Sequence, residues 1–192
     1  MARIGLLVVI ASAAALRPGP IARRPEQQLA RRAFFASAGA AVATMLPSDA
    51  RADAGAKLVG LAPAEIAKLV KADVVERQFL CTADFTRGLY DEAATFTDEI
   101  DTYKLDSFVK GTKALFVADK SHVDLTSDVE VTKDAATFLF SEYLTFNLPV
   151  FKPRVSLTGK VVLKRSPETG LFVSYREFWD QSVVDVLKTA KL

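Results

Sequence analysis

The sequence predicts an α+β fold, with helices in the first half of the folded part and antiparallel strands in the second. Apolar residues after Pro63 recur at helical spacing, whereas after Ser121 they recur at every second position. Loops that contain proline or glycine separate the alternating segments, as they do between neighbouring strands of a meander.

The helical half is predicted to contain two or three helices around one short strand. The first helix covers residues 63–80, since a proline and a glutamate open its apolar pattern. A short helix is predicted over residues 84–90 and a brief strand over residues 95–97. A further helix over residues 105–117 is expected to break or bend at Gly111.

The second half is predicted to be a meander of long strands. Residues 123–131 alternate valine and leucine with polar residues, which indicates a strand with one solvated face. The next strand, residues 138–146, places Glu142 on the same face as its phenylalanines. Residues 155–164 alternate in the same way, and residues 166–170 form a hairpin loop.

The last strand leads into a group of charged and aromatic residues. Residues 171–175 are apolar on both faces, so the strand is expected to be buried. It continues into Arg-Glu-Phe-Trp, residues 176–179. After Asp180, an acceptable helix N-cap, the apolar spacing of residues 183–187 predicts a short C-terminal helix.

Charge divides the chain into two parts. Residues 1–52 contain seven arginines, no lysine and two acids; subtracting them from the 25 basic and 23 acidic residues leaves 18 and 21 in residues 53–192. The folded part therefore carries a formal charge of −3 and shows no basic stripe, so we expect no nucleic acid partner. One cysteine, one histidine and the lack of phosphate-loop, dinucleotide or zinc motifs predict no disulfide, no metal and no cofactor.

Residues 1–52 resemble three targeting signals in series. Residues 1–16 have the layout of a secretory signal peptide, and the arginine-rich residues 17–30 that of a plastid transit segment. Residues 31–52 begin with an arginine pair, continue with a mildly apolar run and end in Ala-Arg-Ala, similar to a twin-arginine signal cleaved near Ala52. This order predicts delivery of one domain, residues 53–192, to the thylakoid lumen. A chance arginine pair and a retained membrane anchor are the alternatives.

The order of elements resembles the nuclear-transport-factor-2-like superfamily, to which polyketide cyclases belong. The resemblance covers residues 63–188 and rests on the leading helices, the short strand before Asp98, the helix around Gly111, and long strands that end at residues 176–180. It implies a cone, in which a strongly curved antiparallel sheet wraps around the N-terminal helices and the mouth holds any ligand. Because the superfamily includes isomerases, dehydratases, hydrolases and proteins without activity, the fold does not select a function.

Ionisable and aromatic residues near the strand ends form the candidate site. Asp98, Glu177 and Arg176 are the candidate catalytic residues, because an apolar surrounding raises a carboxyl pKa and a guanidinium lowers it. A carboxylate with a pKa near neutrality could act as general base or acid, and Tyr90 or Tyr103 could donate to an oxyanion. The candidate ligand-binding residues are Tyr90, Tyr103, Phe96 and Trp179.

The structural alternative is that Arg176 forms a salt bridge at the sheet edge and Trp179 only fills the end of the core. Strand alternation places Arg176 and Glu177 on opposite faces, so only one of them can point into the cone.

Two functions are compatible with the sequence. One is binding of a small apolar molecule, such as a carotenoid or lipid derivative, with or without lyase, isomerase or hydrolase chemistry. The alternative is a non-catalytic assembly or accessory protein of photosynthetic membrane complexes. It would form a homodimer through its sheet face or dock to a thylakoid complex through one exposed apolar patch of Leu139, Tyr143, Phe151 and Phe172.

Overall fold

The structure, a computed structural model, describes residues 56–191, and the predicted targeting signals lie outside the described residues. Short 3-10 turns cover Arg87–Leu89 and Ala118–Lys120. In chain order the other elements are α1 Pro63–Val75, α2 Phe79–Thr82, β1 Tyr90–Thr97, β2 Thr102–Lys104, α3 Leu105–Leu115, β3 His122–Leu125, β4 Glu130–Val131, β5 Ala135–Thr145, β6 Arg154–Arg165, β7 Phe172–Trp179 and α4 Val183–Lys188.

The strands of the described part form one curved, open sheet in the order β2-β1-β7-β6-β5-β3, with β4 also paired to β5. The predicted α+β class, with N-terminal helices and a short C-terminal helix, is confirmed. One detail differs: the sheet is mixed, because β7 returns at the end of the meander to lie parallel to β1, with Phe96 opposite Tyr175. The other strand pairs are antiparallel, as predicted.

Helix α1 ends at Val75, five residues before the predicted boundary, and Gln78 shows why. Gln78 takes a left-handed backbone conformation, with φ of 57°. Its side-chain amide donates to the carbonyls of Val74 and Val75 at the helix end, and it exchanges two hydrogen bonds with the backbone of Val123. The side chain therefore satisfies the helix carbonyls and attaches the helix to β3.

The helix predicted over residues 84–90 is wrong, because Asp73 takes the hydrogen bonds that would start it. The buried Asp73 carboxylate of α1 accepts from Thr86 N, 3.0 Å from each oxygen, and from Thr86 Oγ1 at 2.9 Å. The chain forms a single 3-10 turn and Tyr90 already begins β1. Helix α3 also differs from the prediction, since it passes through Gly111 without a break.

The inner face of the sheet packs around α1, α2 and α3. Helix α1 buries Ile66, Val70 and Val74 and contacts β3 and β4. No helix among residues 56–191 is long and apolar enough to cross a membrane.

Two irregularities and one glycine accompany the curvature of the sheet. The register shifts within the β1–β7 pair and near Lys164 in the β6–β7 pair, as at β-bulges, which bend strands. In the middle of β6, Gly159 lies so close to β7 that an added Cβ would be 2.2 Å from the Phe178 carbonyl oxygen. Only glycine permits this approach of two backbones.

Candidate functional site

Three inward side chains of β7, two residues apart, form one part of the site. Tyr175, Glu177 and Trp179 share a face of the strand, as alternation requires. Tyr175 Oη donates to one Glu177 carboxylate oxygen and Trp179 Nε1 donates to the other. Glu177 is 9% exposed, whereas Trp179 is only partly buried.

A second acid, Glu142, lies on the inner face of β5. Its neighbours on that face are Phe138, Phe140 and Leu144, and its side chain is 5% exposed. The oxygen Oε2 is buried and has no hydrogen-bond partner among the described residues. A buried carboxyl oxygen without a partner carries a desolvation cost of about 1–3 kcal/mol. Among the described residues, Glu142 is therefore the buried acid that has an oxygen without a hydrogen-bond partner.

Burial shifts the pKa of both acids upward. Desolvation raises the pKa of Glu177 to about 7, although the hydrogen bonds from Tyr175 and Trp179 favour its charged form. Desolvation also raises the pKa of Glu142 well above its ordinary value, and the negative charge of Glu177 raises it further. Burial and, after it, the negative charge of Glu142 raise the thiol pKa of Cys81 to about 11. The two acids are therefore electrostatically linked inside an apolar core.

This pair has two different chemical capacities at neutral pH. Glu177 exchanges a proton readily, because its pKa is close to the ambient pH, and its orientation is fixed by two donors. The raised pKa of Glu142 favours its protonated form, whose carboxyl group can donate a hydrogen bond or a proton. The two acids lie on the same inner face of the sheet.

The other two residues predicted to be catalytic lie outside this pair. Arg176 points to the opposite face of β7, donates to the Asp98 backbone oxygen at 2.6 Å, and forms an ion pair with Glu99 at 2.9 Å. The Asp98 side chain accepts from the backbone N–H groups of Ile100 and Asp101, which shapes the turn between β1 and β2. Their contacts match the structural alternative, although Asp98 and Arg176 still act on Glu177 by charge.

Two residues predicted to bind ligand, Tyr90 and Phe96, lie in a packed aromatic cluster. Both are almost fully buried, at 2% and 1% exposure, and their rings are stacked with centroids 5.5 Å apart. Phe96 also stacks on Phe108 at 4.2 Å and on Tyr175 at 5.1 Å. Tyr103 is partly buried beside this core. The cluster fills its part of the interior. It also contains Tyr175, whose hydroxyl donates a hydrogen bond to Glu177.

Sequence reasoning did not include Glu142 and Tyr175 among the site residues. The signal for Glu142 was present, because an acid on a face otherwise made of phenylalanine and leucine must be buried with them. The signal for Tyr175 was its spacing, since alternation puts it on the face of Glu177 and Trp179. Within the described range, no group of three or more histidine, cysteine or acidic residues could hold a metal ion.

No protein-family model matches the chain, and no curated protein matches it. Solved structures that are similar to it include an LEH-like epoxide hydrolase of M. tuberculosis, with 14% identity over 66% of this chain and 90% of that chain and a TM-score of 0.48. A nuclear transport factor 2 (NTF2-like) superfamily protein from Salmonella enterica has 15% identity over 62% and 92%, with a TM-score of 0.44. An NTF2-like protein from Anabaena variabilis has 16% identity over 62% and 90%, with a TM-score of 0.42. At these values the likeness carries no conclusion about activity or ligand.

Proposed function

We propose that the domain binds a small, largely apolar molecule beside Glu142 and Glu177 and catalyses proton transfer on it, the chemistry of an isomerase, lyase or hydrolase. The observation that carries this proposal is the buried Glu142 oxygen without a hydrogen-bond partner, linked to a second acid whose pKa is about 7. A ligand oxygen would supply the missing partner. Perturbed acids of this kind concentrate at functional sites.

The proposed step uses the two acids in different roles. The Glu177 carboxylate takes a proton from the substrate, and the electron pair of the broken bond moves to a substrate oxygen. The protonated Glu142 donates to that oxygen and stabilises its developing charge. Return of the proton from Glu177 to another substrate atom completes an isomerisation. In an elimination the electron pair returns from the oxygen and expels the leaving group, which takes the proton from Glu177. Tyr175 and Trp179 act as positioning residues through their hydrogen bonds to Glu177.

Mass spectrometry of small molecules that copurify with the chain tests the proposal. We expect a reproducible apolar ligand with at least one oxygen, and a loss of about tenfold or more in bound ligand for Glu142→Leu and Glu177→Leu, which remove the polar group, since a hydrogen bond to a charged or strongly polarised group is worth about 1.5–3 kcal/mol. The matched control is Glu130→Leu, the same change at an exposed position of β4. Loss of ligand in Asp98→Asn with retention in both glutamate variants would instead place the site at the β1–β2 turn.

The proposed compartment is the thylakoid lumen, and its support is the order of the three signals in residues 1–52. Replacing Arg31 and Arg32 by lysine keeps the charge but removes the arginine pair. We expect this variant to enter the plastid and stop before the lumen, as measured by fractionation of a tagged full chain. Unchanged delivery to the lumen would contradict the twin-arginine interpretation.

The alternative function, an accessory protein that docks through its sheet face, has weaker support. Of the four residues predicted to form its patch, Phe172 is 1% exposed and Tyr143 is half-buried beneath Arg154. Leu139 is 45% exposed, but its neighbour across the strands is Lys160. The predicted residues therefore do not form one exposed apolar patch.

A further inference from the structure

The loop between β5 and β6 presents an apolar tip at one end of the domain. Residues 147–152, which we call the β5–β6 tip, read Asn-Leu-Pro-Val-Phe-Lys. Val150 is 88% exposed, more than any other large apolar side chain in the described range. The base of the loop is closed by a hydrogen bond of 2.9 Å from Phe146 N to Pro153 O and by the bridge between Phe146 and Phe116. The exposed valine therefore lies on a well-supported hairpin.

Basic residues from three separate segments lie near the base of this tip. Asn147 donates from its backbone to Leu115 at the end of α3, and Thr145 bonds to Lys120 and Ser121, so these segments lie against the base of the loop. On the other side, the Arg154 backbone bridges to Lys191. The basic rim, as we call these exposed cations, consists of Lys113, Lys120, Lys152, Arg154 and Lys191.

The charge of the basic rim is not neutralised within the described residues. No described carboxylate forms an ion pair with any of the five cations. Residues 113–121, 146–154 and 189–191 contain one acid, Asp119, whereas residues 53–192 as a whole carry a formal charge of −3. The cations are thus concentrated at one end of an otherwise acidic domain. The sequence does not display this, because the three segments are far apart along the chain.

We propose that this end of the domain docks on an anionic lipid bilayer, with the β5–β6 tip inserted among the headgroups and the basic rim against the lipid phosphates. An exposed apolar tip gains free energy at the interface of a bilayer, and each lysine or arginine near an anionic surface adds to the attraction. A protein partner of the same chemistry is the competing occupant. This inference is independent of the acid pair, which lies in the interior.

A fluorophore attached to the tip tests the docking site. The variant Val150→Cys carries an environment-sensitive dye in the full chain, where the native Cys81 is buried, and Pro167→Cys at the exposed β6–β7 loop carries it as the matched control. With vesicles of phosphatidylglycerol and phosphatidylcholine we expect a blue shift at position 150 and none at position 167. Phosphatidylcholine alone should give little shift, and high salt should weaken binding.

Charge-reversal variants test whether vesicle binding depends on the basic rim or on non-specific attraction of any surface lysine. In the dye-labelled chain, Lys120→Glu with Lys152→Glu should weaken apparent vesicle affinity by about tenfold or more, whereas Lys68→Glu on the exposed face of α1 should have a much smaller effect. The proposal is overturned if position 150 shows no shift, if both positions shift equally, or if neutral vesicles act equally well. It is also overturned if the chain forms a dimer that Val150→Asp dissociates, since the tip would then be an interface between two copies.

Discussion

Replacing Gly159 by alanine is expected to destabilise the domain by about 3 kcal/mol or more, the upper range for overpacking. The new Cβ would lie 2.2 Å from the Phe178 carbonyl oxygen and 3.1 Å from two ring atoms of Phe140. A side chain can rotate away, but a backbone oxygen in a paired strand cannot move without separating β6 from β7. Because Gly159 pairs with Trp179, the same displacement would disturb the hydrogen bonds of Glu177. Urea unfolding of the purified variant measures the loss.

Gly60→Ala is the matched control for this substitution. Gly60 has a φ of 71°, and nothing lies within 4 Å of an added Cβ, so the cost is the left-handed strain of about 1 kcal/mol alone. A second variant, Gly159→Ala with Phe140→Leu, removes the aromatic contact but leaves the backbone contact. We expect no recovery of stability from it. Full recovery, or a Gly159→Ala variant as stable as Gly60→Ala, would contradict the close approach of β6 and β7.

Much of the fold follows from the sequence because apolar residues recur at helical spacing in the first half of the domain and at every second position in the second half. The alternation after Ser121 predicts β5, β6 and β7 with their inner faces. It also predicts one strand over residues 123–131, which the structure divides into β3 and β4. The end of α1 was not predictable, because it depends on the Gln78 amide reaching Val123, 45 residues later. The parallel pairing of β7 with β1 is also a long-range property, and the residue pattern within either strand does not predict it.

The part of the candidate site that lies on β7 could be predicted from the sequence. The part that depends on contacts between strands could not. Alternation alone places Glu177 and Arg176 on opposite faces, and the structure shows that Glu177 faces inward and Arg176 outward. The link between Glu142 and Glu177 requires the register of three strands, because these residues lie opposite Leu157 and Val161 of β6, four residues apart. The curvature of the sheet brings the two acids within electrostatic reach. A sequence pattern contains neither the register nor the curvature.

The domain is expected to be less stable at pH 8 than at pH 5, by about 2.5 kcal/mol from Glu177 alone. Its pKa is about 7 in the folded state against 4.5 ordinarily, so the folded state holds the proton more tightly than the unfolded state does. The contribution of Glu177 to the free energy of unfolding is fully present below about pH 4.5, decreases as the pH rises, and is lost above about pH 7. Glu142 acts in the same direction, because its pKa is also raised. Glu92, with a pKa lowered to about 2, does not titrate in this window.

Urea unfolding at several pH values between 5 and 8 measures this dependence, with Glu130→Gln as the control that should retain it. In Glu177→Gln the decrease should become smaller, and in the double variant with Glu142→Gln it should become smaller still, since glutamine cannot titrate. The buried Asp73, whose pKa is also raised by burial, accounts for the remaining decrease. The acid pair links stability to the proposed proton transfer, because the burial that raises the pKa of Glu177 to about 7 is the same burial that costs stability once the proton leaves. A wild-type domain that gains stability from pH 5 to 8, or a double variant that loses as much stability as the wild type, would show that these two acids are not held in an apolar interior.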